Sequence, residues 1–329
     1  MGAKTEVLGG LKTSEDGTSR ISEPMASKII SSHIFDLAQQ FVRSEACKCV
    51  STGIPLLDRA LEGGLVAGSI YTLSGRPGTG KTSLALSIAR RMAFDGGKRV
   101  VFLSLEMTAL ELVERMVCQT TRIPSKRLKL LRDAGQLAEL MKPFLHTAEL
   151  SKLKIEDQHK ATPADLTMLL EEVADNERPE LLIIDHLQHQ LFAEGLSRAE
   201  AMANYMADLK DLAKHHQVIM LVCSQLNRAA EGEKRPKASH LKSSGAIEEV
   251  SDCVLVCTKG SLEEGKVRLD AQSEPTEFTV SIVKHRRGPV NEITLMFQPE
   301  IYEFDEPGSD WTPKRPRIHE EQETISAGV

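Results

Sequence analysis

The chain has 329 residues, of which 41 % are hydrophobic and 27 % charged, with a formal net charge of −6. That is the composition of a soluble globular protein with ample material for a core, and no apolar run approaches the roughly 20 residues that cross a bilayer. An acidic balance and only 4 % aromatic residues speak against a basic, sequence-reading DNA binder and against a platform of stacked bases, leaving local positive groups on the phosphate backbone as the route to nucleic acid.

Residues 1–26 are rich in Gly, Ser, Thr and charge, and disorder is expected there. They contain no apolar signal region, and Glu6 spoils the pattern for lipidation at Gly2, so a cytoplasmic protein is expected. Over 27–48, apolar residues at Ile29, Ile30, Ile34, Leu37, Phe41 and Val42 have the spacing of an amphipathic helix. Its apolar face suits packing on its own domain or on a neighbouring subunit equally well. The six cysteines, Cys47, Cys49, Cys118, Cys223, Cys253 and Cys257, form no CxxC pair or zinc-finger spacing, which fits a reducing compartment; Cys253 and Cys257 flank the strand-like run DCVLVC and are expected as small buried residues.

From about 49 to 305, short apolar runs (SIYTLSG, RVVFLSLE, KLKIED, ELLIID, VIMLVCSQ, DCVLVC) alternate with amphipathic stretches. This predicts an α/β domain with a mainly parallel sheet covered by helices on both faces. In the stretch beginning SRAEAMANYMADLK, Met202, Tyr205, Met206, Leu209, Leu212 and Ala213 share one face and are expected in the core. The last runs, FTVSIVK and EITLMF, lack a helix between them and predict an edge β-hairpin. Residues 306–329 read as a flexible tail.

Gly75-Arg76-Pro77-Gly78-Thr79-Gly80-Lys81-Thr82 matches the P-loop pattern, set between a strand and a helix that continues with Ser83. Backbone N–H groups of such a loop converge on phosphates, the helix N-terminus adds positive potential, Lys81 reaches the β- and γ-phosphates of ATP, and Thr82 holds Mg²⁺. Asp185, at the end of LLIID, is the expected second magnesium ligand. The residue after it is His186, a poor substitute for a carboxylate in polarising water, so the base is sought elsewhere. Glu106 ends RVVFLSLE; in a parallel sheet that strand end opens beside the phosphates, which makes it the candidate base. The competing reading is an acid near the N-cap of the following helix. Gln225, also at a strand end, is placed to sense the γ-phosphate. The loop around Lys242, Ser244 and Gly245 offers a charge and small residues to an anion. Lys284 and Arg286, in KHRRGP, fall near a hairpin tip, where such residues either face solvent or reach a neighbour's phosphate.

Taken in order, STGIPLLDRALEGGL, GRPGTGKT, FLSLEM, IIDHLQ, CSQLNR, LKSSGAIEEVSD and KHRRGP resemble the motor domain of DnaB-type replicative helicases, with a RecA-like P-loop core, over roughly 50–305. The resemblance implies ATP and Mg²⁺ as cofactors, single-stranded DNA as track, a homo-hexameric ring with ATP sites between subunits, and contact with other replication proteins. It implies Glu106 as catalytic base, Gln225 as sensor, Lys284 and Arg286 acting in trans, and Lys242, Ser244 and Gly245 on DNA phosphates. Three departures stand out: Lys242 and Ser243 replace an Arg and a Glu, His186 replaces a Tyr, and the roughly 50 preceding residues are too few for the N-terminal collar domain. The opening motif is also similar to RadA- and KaiC-type ATPases, and an ATP-binding adaptor that regulates a helicase is a further alternative.

Overall fold

The computed structural model describes residues 11–13, 19–21, 49–145, 148–174, 177–187, 197–226, 244–259, 274–309 and 311. The predicted helix over 27–48 lies outside them, as does nearly all of the tail. Two units are distinct, Met1–Lys48 and Cys49–Val329. In the first, β1 (Leu11–Thr13) pairs antiparallel with β2 (Ser19–Ile21), so this stretch of the segment expected to be disordered forms a local hairpin.

The second unit begins with β3 (Cys49–Val50), α1 (Pro55–Ala60) and β4 (Leu65–Val66), and then builds a nine-stranded sheet from the described residues. Its parallel part runs in the order β10 (Cys253–Lys259), β5 (Ile70–Gly75), β9 (Ile219–Gln225), β8 (Leu181–Asp185), β6 (Val100–Ser104) and β7 (Leu153–Asp157). The antiparallel edge adds β11 (Thr276–His285), β12 (Asn291–Gln298) and a third strand, β13 (Glu303–Asp305), beyond the expected hairpin.

The central strands are near-continuous apolar runs because both faces are covered. On one face, Leu73, Phe102, Ile183 and Leu221 pack against α2 (Lys81–Arg90) and α3 (Ala109–Thr121). On the other, Ile70, Leu103, Ile184 and Val222 pack against α6 (Pro163–Glu171) and α7 (Arg198–His216). Met202, Tyr205, Met206, Leu209 and Ala213 of α7 are buried in this second core, with Leu212 packed against it, as the spacing predicted. Between α3 and β7 lie α4 (Ser125–Asp133) and α5 (Leu137–Leu145); α8 (Ser244–Val250) precedes β10. No helix of the described residues is long and apolar enough to cross a membrane.

The third edge strand is fastened by charge. Glu303 is fully buried and accepts hydrogen bonds from Ser87 at 2.7 Å, Arg90 at 3.0 Å and Arg91 at 2.8 Å. Neighbouring Asp305 pairs with Arg122 at 3.0 Å. The clamp joins β13 to the C-terminal end of α2 and the π turn Arg91–Asp95 that continues it. Burial by itself pushes the Glu303 carboxyl up, but Arg90 and Arg91 outweigh it and hold its pKa below the ordinary value. A depressed folded pKa stabilises above the unfolded pKa and is lost as pH falls through the folded one.

Glu303→Ala is expected to destabilise the domain by about 3 kcal/mol, because it removes the buried carboxylate shared by the partly buried Arg90 and Arg91, of which Arg91 keeps the Gly53 and Phe304 carbonyls. A urea titration should show a lower midpoint at unchanged slope. Acidification below pH ~4 should cost the wild type more stability than Glu303→Gln, which has no carboxylate to protonate.

Candidate nucleotide-binding and hydrolysis site

The fully buried strand β5 delivers the chain to the loop 76–80, and α2 starts at Lys81. Gly78 and Gly80 have φ of +73° and +108°, which side chains other than glycine rarely adopt. A Cβ at Gly75 would lie 2.9 Å from the Cys257 carbonyl oxygen, so the loop leaves the sheet at a point only glycine fits. Gly80 rests on three phenylalanines from the antiparallel edge, Phe278, Phe297 and Phe304, whose rings pack on one another. Thr79 Oγ1 donates to the Arg76 carbonyl at 2.8 Å and closes the loop. Arg76 and Pro77 are exposed, Thr82 is half-buried and Ser83 buried in the first turn of α2. Lys81 is buried, and its Nζ donates to the Gly75 and Arg76 carbonyls at 3.0 and 2.9 Å.

The parallel register puts four strand ends side by side. Gly75 of β5 is opposite Gln225 of β9, Val222 of β9 is opposite Ile184 of β8, and Asp185 of β8 is opposite Ser104 of β6. Asp185 is completely buried, and among the described residues neither carboxylate oxygen accepts an N–H or O–H hydrogen bond; the weak donor beside it is the Cys223 thiol. A buried carboxylate so placed is costly unless a cation meets it. Asp185 with the hydroxyl of Thr82 is a hard oxygen donor set of the kind magnesium takes alongside phosphate oxygens. Burial pushes the Cys223 thiol far up and that of Cys257 up to about 12, so these thiols stay neutral and add no charge to the strand ends.

Glu106 lies two residues past β6, with its side chain about half exposed. The N-cap of α3 is Thr108, which forms a reciprocal capping box with Glu111; the capping role that competed for Glu106 is filled by other residues. Glu106 Oε2 is 3.1 Å from His186 Nε2, and the same nitrogen is 2.8 Å from Gln225 Nε2. Sequence reading registered His186 only as a missing carboxylate. Its link to both neighbours depends on β8 lying between β9 and β6, which no local pattern reports.

Lys284 and Arg286 do not join this cluster. Lys284 is opposite Val254, which is opposite Thr72, three residues before Gly75. That is about 10 Å back along the strand and two strands across, at the opposite end of the sheet from the phosphate loop. There Lys284 Nζ donates to the carbonyls of Glu248 and Glu249, the latter at 3.0 Å, and Arg286 donates to Glu249 O at 2.7 Å. Both therefore cap the C-terminal end of α8. Asp252 gathers the surroundings: it accepts from Ile70 N at 2.8 Å, from Lys210 and, at 3.4 Å, from Arg286. Burial, then Arg286 beside it, holds the Lys284 pKa below the ordinary lysine value. Sequence reading had no signal for Asp252, whose partners come from distant segments. Ser244 and Gly245 open α8, and a Cβ at Gly245 would meet nothing within 4 Å; Lys242 lies outside the described residues.

Comparison with known proteins places these features in a family. The family described as DnaB-like helicase C terminal domain matches residues 49–306. The replicative DNA helicase DnaB of Haemophilus influenzae is 27 % identical over 302 residues, which are 89 % of this chain and 62 % of that protein. Among solved structures, one ATPase domain superposes with a TM-score of 0.68 at 24 % identity, covering 87 % of this chain and 99 % of that one. A DnaB-like replicative helicase, solved in a study of its interactions with primase, gives a TM-score of 0.70 at 24 % identity, over 86 % of this chain and 71 % of that one. At such identity the structures speak for the fold, a RecA-like ATPase core. The chain spans about half to three-fifths of the length of the curated relatives it matches. The match over 49–306 is decisive for kinship: the chain belongs to the DnaB-like helicase C-terminal domain family.

Proposed function

We propose that this chain is the ATP-hydrolysing motor of a replicative-type DNA helicase, which assembles as a ring of six with shared ATP sites and moves along single-stranded DNA. The observation that carries the reading is the convergence of Lys81, Thr82, Asp185, Glu106 and Gln225 at adjacent parallel strand ends, with Lys284 and Arg286 at the far end of the same sheet. The names of the relatives supply the DNA-replication context.

The triphosphate lies along the backbone N–H groups of Gly78, Thr79 and Gly80, Pro77 having none to offer, and Lys81 leaves the Gly75 and Arg76 carbonyls for its β- and γ-oxygens. Thr82 and Asp185 hold Mg²⁺, which when bound offsets phosphate charge and polarises the oxygens of the transferred group. Glu106 orients the attacking water and takes its proton; the new P–O bond forms as the bond to the β-phosphate bridging oxygen breaks, releasing ADP and phosphate. Gln225 contacts the γ-phosphate and registers its loss.

A lysine or arginine side chain on β11 is too short to cross to its own P-loop, which favours action on a neighbour's nucleotide. To reach it, Lys284 and Arg286 must let go of the α8 carbonyls. Ser244 and Gly245 in the first turn of α8, with Lys242 just before them in the chain, are the proposed contact with DNA phosphates, so phosphate state in one subunit would be felt at the DNA contact of the next.

ATP hydrolysis by the purified chain is expected to rise when single-stranded DNA is added, and Glu106→Gln should abolish both basal and stimulated turnover. Turnover indifferent to DNA would favour an adaptor or switch over a motor. Arg286→Ala should lower kcat by about 10³-fold or more while a fluorescent ATP analogue still binds with near wild-type affinity. DNA affinity should depend steeply on salt and little on base sequence, and Lys242→Ala should reduce the slope of log K against log salt by about one.

A further inference from the structure

We infer that His186 is a positioning residue that couples Gln225 to the hydrolytic carboxylate of Glu106; the inference rests on the roles proposed above for those two residues. His186 is 2 % exposed, so its ring has little room to swing. It follows β8, the strand between the one that ends in Gln225 and the one that leads to Glu106. One atom, Nε2, lies 2.8 Å from the Gln225 amide nitrogen and 3.1 Å from Glu106 Oε2. A neutral imidazole nitrogen carries either a proton or a lone pair. With the proton it donates to Glu106 and cannot accept from Gln225 N–H; with the lone pair it accepts from Gln225 and cannot donate to Glu106. If the amide is turned so that its oxygen faces the ring, both neighbours compete for one N–H. In each arrangement Gln225 and Glu106 make rival claims on one nitrogen.

The rivalry has a direction once nucleotide binds. When the Gln225 amide turns to the γ-phosphate, it gives up its claim on Nε2, which then donates to Glu106, and the half-exposed carboxylate is held where it can orient water. When phosphate leaves, Gln225 returns to the ring and that hold loosens. Hydrolytic competence is then tied to the presence of a γ-phosphate through a side chain that touches neither water nor nucleotide.

The test uses the full chain with single-stranded DNA and compares His186→Asn, whose amide replaces Nδ1 but ends short of Nε2, with His186→Gln, whose amide nitrogen reaches the Nε2 position. His186→Asn is expected to lower kcat about ten- to a hundredfold, the scale of a misplaced catalytic group, with KM for ATP and binding of a fluorescent ATP analogue within about twofold of wild type. His186→Gln should recover most of the loss. The double variant His186→Asn/Gln225→Ala should be no slower than the slower single variant, because both remove one coupling. Equal kcat for His186→Asn and wild type, no recovery in His186→Gln, or losses that multiply in the double variant would each overturn the coupling. If Glu106→Gln still hydrolyses ATP, the assignment of the base falls, and the coupling with it.

Discussion

The candidate site depends first on the in-register pairing of β5, β9, β8 and β6. Parallel strands open all their carboxyl ends on one side, so this pairing places a P-loop, a glutamine, an aspartate and a glutamate in a row although up to 150 residues separate them along the chain. A slip of one residue in any of these pairs would turn every side chain to the opposite face. The two apolar clusters, one per face, forbid it, since the apolar residues of these strands are divided between one core and the other. The phosphate loop is held from beneath as well. Gly80 rests on the Phe278–Phe297–Phe304 group, and the Glu303 clamp ties that same edge to the end of α2.

Electrostatically the site is strained toward a ligand. Lys81 makes do with two backbone carbonyls, and Asp185 has a thiol for company. Buried charges so weakly matched gain when a polyanion and a divalent cation arrive together. The far end of the sheet is the reverse: Lys210 and Arg286 pair with Asp252, and Lys284 and Arg286 donate to the open carbonyls of α8. One end therefore waits for nucleotide, while the other holds cations that a second nucleotide could draw away.

Much of this was legible in the chain. The P-loop, the Asp185 strand and the buried face of α7 follow from local patterns with a short physical period, and parallel geometry alone puts Glu106 at the same edge of the sheet as the P-loop. The sheet class was legible too, because runs such as VVFLS and LLIID suit only strands covered on both faces. What the pattern did not carry was order across the sheet. That β8 lies between β9 and β6 is fixed by helix packing, and it turns His186 from a missing carboxylate into a bridge. The hairpin tip was predicted, but not that Lys284 and Arg286 would cap α8, because the register of β11 on β10 includes a bulge between Val254 and Leu255. Nor did Glu303, one of four acids between 300 and 306, advertise its two distant arginines.

The shared active site is the central claim, and subunit mixing tests it most directly. Glu106→Gln and Arg286→Ala, each inactive alone, are combined in equal amounts under conditions that allow subunits to exchange, and ATP hydrolysis is followed. If Arg286 serves a neighbour, roughly a quarter of the interfaces in a random ring pair an intact Glu106 with an intact Arg286, and activity returns. If each subunit completes its own site, every subunit carries one lesion or the other, and the mixture stays as inactive as its parents.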